Sequence, residues 1–217
     1  MIWYERKFTL FISFMKPDTY LTIKAFSQGL YKEKGSRFIA QAWPVTTQEE
    51  IKSILDSIRK EHHSAKHHCF AWMLGQDRKT FRVNDDGEPS GSAGKPILGQ
   101  INSYNLTNIL IVVVRYFGGK LLGVSGLINA YRSASESALK NAGIIELCNK
   151  DYYELRFPYS AINDVMKVIK DEEAGQSEQI IELECRIIIN FRTSSRERIL
   201  NSLSRIGGLR YSHKGTF

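Results

Sequence analysis

Residues 85–96, "DDGEPSGSAGKP", set three carboxylates in four positions ahead of a glycine-rich run that ends on Lys-Pro. Residues of these types could bind calcium, cradle a phosphate or activate a nucleophile. A calcium loop of the EF-hand kind needs oxygen ligands at alternate positions before its glycine and an acid six positions after it. Arg82 and Ala93 stand at those critical places, so the pattern fails. A Walker A loop fails as well, because Pro89 replaces its first glycine and Pro96 its magnesium-binding Ser/Thr. Ser92 and Lys95 have the spacing of a lysine-activated serine, but no companion signature accompanies them. What survives is physical. Gly91, Ser92, Ala93 and Gly94 put small, permissive backbone just before a helix start, where unpaired N–H groups attract an anion, and Lys95 adds a cation there. The plainer alternative is a tight turn whose acids only face water.

"RYFGGKLLGVSG" (115–126) repeats the logic ahead of a second helix. It is not G-x-G-x-x-G, which argues against a dinucleotide site. Arg115 and Lys120, with the amides around Gly118 and Gly119, could form one anion pocket with the first loop, while Tyr116 and Phe117 stack on a ligand or merely pack. Close helix-on-sheet packing is the rival explanation, above all for Gly123 and Gly126. His67 and His68, with Asp85, Asp86 and Glu88, would border this cleft. A metal site is not expected, because His67 and His68 are neighbours on a strand and point to opposite faces. Cys69, Cys148 and Cys185 form no C-x-x-C pair and read as reduced thiols of a cytoplasmic protein.

These groups need elements to hold them. Residues 19–45 read as two strands around a turn at Glu33–Ser36, with Pro44 ending the second. A helix follows from a Thr46 or Thr47 cap, with Ile51, Ile54, Leu55 and Ile58 at helical spacing. Strands are expected over 65–74 and 79–84, a helix from Pro96 to about Tyr104, a buried strand over 108–116, and a helix over 123–143 stopped by Gly143. Beyond residue 150 the order strand, helix, two strands, helix, strand predicts a ferredoxin-like βαββαβ unit. The fold class is therefore α+β in two domains, 15–147 and 150–217, parting at about 145–152. The apolar run Phe8–Phe14 is too short to span a membrane. Residues 1–14 read as an extension upstream of a Met15 start, or else as one extra strand.

The net charge is +7, and residues 1–149 hold most of the excess, with 19 Lys/Arg against 13 Asp/Glu. That favours a polyanionic partner for the first domain.

"SRFIA", "AKHHCFAW", "DDGEPSGSAGKP" and "VVVRYFGGKLLGVSGLINAY", in this order from Ser36 to Tyr131, resemble the YigZ/Impact family. Ser92, where threonine is common, and Leu121–Leu122 are conservative departures. The resemblance implies a first domain similar to the second domain of small-subunit ribosomal protein five and a second similar to the fifth domain of elongation factor G. It further implies a link to translation. Eukaryotic Impact proteins bind the activator of an initiation-factor kinase through a preceding RWD domain that this sequence does not include, so the kinase role is not carried over.

The combined expectation is a cytoplasmic regulatory protein that binds RNA, a ribosomal component or a translation-related protein through its first domain, with no cofactor, metal or membrane. The alternative is an enzyme acting on a small phosphorylated or anionic metabolite, with carboxylate, lysine and histidine dividing the acid, base and electrostatic roles.

Overall fold

The computed structural model describes residues 18–216; the expectation for residues 1–14 lies outside them. The described chain divides into two compact units, Tyr20–Leu147 and a second formed by residues 148–216 with Asp18 and Thr19.

The first unit begins with β1 (Thr19–Ile23), β2 (Ser27–Glu33), β3 (Ser36–Pro44) and α1 (Gln48–Glu61). It continues through β4 (His67–Leu74), β5 (Thr80–Asn84), α2 (Gly94–Ser103), β6 (Ile109–Tyr116), α3 (Gly123–Ala142) and β7 (Ile144–Cys148). A five-stranded antiparallel sheet in the order β2-β3-β6-β4-β5 forms its centre. Helix α1 opens with a capping box, in which Thr47 accepts from the Glu50 N–H and the Glu50 carboxylate accepts from the Thr47 N–H. Its Ile51, Leu55 and Ile58 pack on Phe70, Trp72, Leu110, Val112 and Val114. Helices α2 and α3 pack together and on the sheet through α2·β4, α3·β2 and α3·β3 contacts. Ile109–Val114 are all fully buried, as expected of a strand covered on both faces.

Two features differ from the sequence reading. The stretch 19–45 holds three strands, because residues 24–26 break the first one. β7 follows Gly143 where no strand was expected, and it pairs with β1 as a two-stranded sheet. "IIELC" has too short and weak an alternation to announce a strand by itself.

The second unit runs β8 (Lys150–Pro158), α4 (Ile162–Asp171), β9 (Gly175–Ile180), β10 (Glu184–Arg192), α5 (Arg196–Leu203) and β11 (Arg210–Thr216). This is the βαββαβ order, with an antiparallel sheet β11-β8-β10-β9. Odd-numbered Tyr153, Leu155, Phe157, Cys185, Ile187, Ile189 and Phe191 meet Val165, Ile169, Ile199 and Leu203 of the helices in one core. Even-numbered strand residues take the other face. Asp18 is clamped by two of the guanidinium nitrogens of Arg192, Nε at 2.9 Å and Nη2 at 2.8 Å, and by the Ser194 hydroxyl at 2.7 Å. No described helix is long and apolar enough to cross a membrane.

Candidate ligand-binding site around the glycine loop

The two glycine segments do converge, but through pairs internal to the protein. Loop 85–96 carries its own anion. The Asp85 carboxylate accepts the backbone N–H groups of Gly91 at 2.8 Å, Ala93 at 3.0 Å and Gly94 at 2.8 Å. These are the amides that the sequence assigned to a phosphate, and the start of α2 is thus satisfied from within. Burial pushes the Asp85 pKa up, while the amides of Gly91, Gly94 and Ala93 and the nearby Lys95 ammonium outweigh it and hold the group below the ordinary carboxylate value.

Asp86 takes the turn with φ of 41°, followed by Gly87 at 84°. Its carboxylate accepts the His68 N–H at 2.7 Å, and its carbonyl accepts from His67 Nδ1 at 2.8 Å. His68 Nε2 donates to the His62 carbonyl at 3.2 Å. The two histidines therefore anchor backbone on different sides of β4. Among the described residues no group of His, Cys, Asp and Glu has the geometry to hold a metal.

Glu88 is the hinge of the site. Its Oε1 accepts from Arg115 Nη1 at 2.6 Å and from the Tyr131 hydroxyl at 2.8 Å. The side chains of Arg115 and Glu88 are only 7% and 3% exposed, so the cation expected to face phosphate is spent on a buried carboxylate. The Arg115 guanidinium also lies 5.4 Å from the Phe38 ring and 5.5 Å from the Phe117 ring. Cys69 Sγ lies 3.0 Å from the Asp85 carbonyl oxygen and 3.2 Å from Tyr131 Oη, and its one S–H is shared between these two acceptors. Burial pushes the Cys69 thiol and the Tyr131 hydroxyl well above their ordinary values, which keeps both protonated.

Other candidates divide between structure and surface. Ser92 is fully buried and donates to the Pro89 carbonyl at 2.6 Å, so its hydroxyl is a turn fastener, not an exposed nucleophile. Tyr116 holds His62 Nδ1 through its hydroxyl at 2.9 Å and lies under the Arg37 guanidinium, which leaves it packed. Gly118 is required by contact: a Cβ there would come within 1.9 Å of the Gly35 carbonyl carbon. Gly119, Lys120, Leu121 and Phe117 are exposed, Phe117 by 48% and Leu121 by 84%.

The open part of the site lies beside the loop. Gly91, Lys95, Pro96, Gly99 and Gln100 face Ile128 and Arg132 across a groove of about 380 Å³ between α2 and α3. Lys95 and Arg132 are exposed, and Arg132 makes no ion pair among the described residues. Sequence reasoning missed Arg132. Its signal was the single basic residue in "LINAYRSASESAL".

The fold and this loop describe a two-unit α+β protein with a cationic groove on its first unit. Residues 34–139 match the Impact N-terminal domain. The chain is 44% identical over 109 residues to the IMPACT family member YigZ of Escherichia coli, covering 49% of this chain and 53% of that protein. It is 34% identical over 135 residues to an IMPACT family member of Thermus thermophilus, covering 62% of this chain and 72% of that one. A solved structure described as that of a hypothetical protein covers 90% of this chain and 97% of its own at 29% identity, with a TM-score of 0.68. The chain belongs to the IMPACT family. The match spans between half and three fifths of the length of the bacterial relatives YvyE and YigZ.

Proposed function

We propose that this protein is a cytoplasmic regulator linked to translation, whose first unit binds single-stranded RNA or an exposed ribosomal RNA segment. One observation carries the reading: the groove beside the glycine loop is lined by two cations, Lys95 and Arg132, and by no acid. Asp85 and Glu88 satisfy the loop amides and Arg115 internally, so the loop works as a rigid shelf and presents Lys95. Exposed Phe117 offers a ring for a base to stack on, and Lys120 a further phosphate contact. The family's tie to translation supports the class of partner.

The test is binding of an oligouridylate of about 12 nucleotides to Lys95→Met/Arg132→Met, with both stems largely retained. Losing two phosphate contacts should flatten the dependence of log K on log salt by about 1.4. An unchanged slope and affinity would remove the groove from RNA binding. Hydrolysis of a small phosphate ester that Lys95→Met abolishes would replace this reading with an enzymatic one.

A further inference from the structure

The second unit looks electrically neutral when its residues are counted, with 11 Lys/Arg against 10 Asp/Glu over residues 150–217. Counting hides the fact that charge is sorted by face. On the sheet face turned away from the core, Arg186 of β10 stands directly opposite Arg156 of β8, and Arg156 directly opposite Arg210 of β11. Three arginines thus form one row across three neighbouring strands, at a pitch of about 4.8 Å per strand. Their side chains are 36%, 52% and 80% exposed for Arg186, Arg156 and Arg210.

Like charges directly opposite each other weaken a sheet, so folding alone does not account for this row. One buried carboxylate organises it. Glu154, only 6% exposed, accepts from Arg156 Nε at 2.8 Å and lies 3.6 Å from Arg186 and 3.4 Å from Lys214. The remaining counter-charges are peripheral: Glu178 sits 3.4 Å from Arg186 and Glu184 3.0 Å from Arg210, both mostly exposed. Surface pairs of this kind contribute little and are easily exchanged for another anion. Arg156, Arg210, Ser212, Tyr211 and Glu154 also line a groove of about 340 Å³.

The geometry points to a second phosphate-binding surface, in which Arg156, Arg186 and Arg210 receive successive phosphates of a single-stranded RNA. The occupant is a phosphodiester chain and not an acidic protein: Arg156 and Arg210 face the groove beside the Ser212 hydroxyl, and the half-exposed Ile180, opposite Arg186, and Tyr211, beside Arg210, stand at the two ends of the row and form no buried apolar centre of the kind that dominates protein interfaces. Guanidinium forks, by contrast, bind phosphate oxygens in pairs. The inference rests on the RNA-binding reading for its class of ligand, but it uses neither the groove nor the residues of that site.

The experiment measures binding of the same oligouridylate by the full chain carrying Arg186→Gln/Arg210→Gln. Arg156 is kept because it holds the buried Glu154. Two lost contacts on a single strand should flatten the salt slope by about 1.4 and weaken binding about 25-fold at about 0.1 M salt, with the difference closing near 1 M. The melting temperature should hold or rise, since repulsion is relieved. Glu178→Gln/Glu184→Gln should tighten binding by releasing the two arginines. If both double variants bind as the unaltered protein does while Lys95→Met/Arg132→Met does not, the row is overturned and the groove stands. If polyglutamate competes as well as RNA, the face belongs to an acidic protein and the inference fails. If the unaltered protein does not bind oligouridylate, both readings fall together.

Discussion

Substituting Arg115 or Glu88 separates a structural ion pair from a ligand-binding arginine. The pair is closed at 2.6 Å with side chains 7% and 3% exposed, and Arg115 Nε has no hydrogen-bond partner, so Glu88 is the guanidinium's principal counterpart. With charge centres about 4 Å apart and an effective dielectric constant of about 20, the attraction is about 4 kcal/mol. Removing one member strands the other without its partner, for which losses of about 3–5 kcal/mol are usual. Arg115→Met and Glu88→Gln should each destabilise the first unit by that amount. The double variant, which retains an acceptor for Tyr131, should cost less than the sum of the two by about 3 kcal/mol.

Denaturant titration provides the assay. With Trp3 replaced by Phe, the remaining tryptophans, Trp43 and Trp72, both lie in the first unit and report its unfolding separately from the second. The contacts of Arg115 with Phe38 and Phe117 are lost in the Arg115→Met single and in the double alike, so they cancel from the coupling energy. Single effects that add to within about 0.5 kcal/mol would refute the pair as a structural element. Arg115→Met with unchanged stability and weakened RNA binding would return Arg115 to the ligand.

Asp85→Ala removes the acceptor of three N–H groups and should cost about 2 kcal/mol of first-unit stability, measured in the same titration. Gly118→Ala should unfold or displace the 117–120 loop because its Cβ collides with the Gly35 backbone; Gly119→Ala has open space and pays only the strain of φ at 84°, about 1 kcal/mol. Thermal melts distinguish the two. Asp18 and Asp151 carry depressed pKa values in the folded second unit. For Asp18 the first cause is the hydrogen bond from Arg192. For Asp151 burial raises the value, but hydrogen bonds from Arg196 and Thr216 outweigh it. Their stabilisation is complete above the unfolded aspartate value of about 3.9 and is lost as pH falls through the lower folded values. Acid titration followed by circular dichroism should show second-unit stability declining below about pH 4, with Asp18→Asn reducing that pH dependence.

Most of the architecture was legible in the sequence because each element carried its own periodic signal: the capped amphipathic α1, the unbroken apolar β6, and the βαββαβ succession after residue 150. The site was legible by position but not by wiring. Glycine and helix-start rules located the loop amides correctly, yet they are silent on which anion fills them. Asp85, six to nine residues ahead of those amides, was near enough in sequence to be suspected as a cap. The Glu88–Arg115 pair joins residues 27 apart and depends on β6 being laid down within reach of the loop, which no local pattern encodes.

The arginine row shows why such silence is systematic. A net charge sums over all faces of a domain, whereas a binding surface depends on the subset that strand register turns one way. In "YYELRF", "CRIIINF" and "LRYSHK" the arginines look unrelated, because the strands are separated by a helix and hairpin on one side and by a helix on the other. Pairing Leu155 with both Ile187 and Tyr211 fixes the register on the core side. The alternation of strand side chains then carries Arg156, Arg186 and Arg210 into line on the opposite side. A slip of one residue in β8 or β10 would both bury an arginine and expose leucine or isoleucine side chains, whereas β11, with no buried residue, is held in register by its backbone pairing with β8. The same apolar burial that stabilises the core therefore holds Arg156 and Arg186 together against their repulsion, and the β8–β11 ladder adds Arg210 to them.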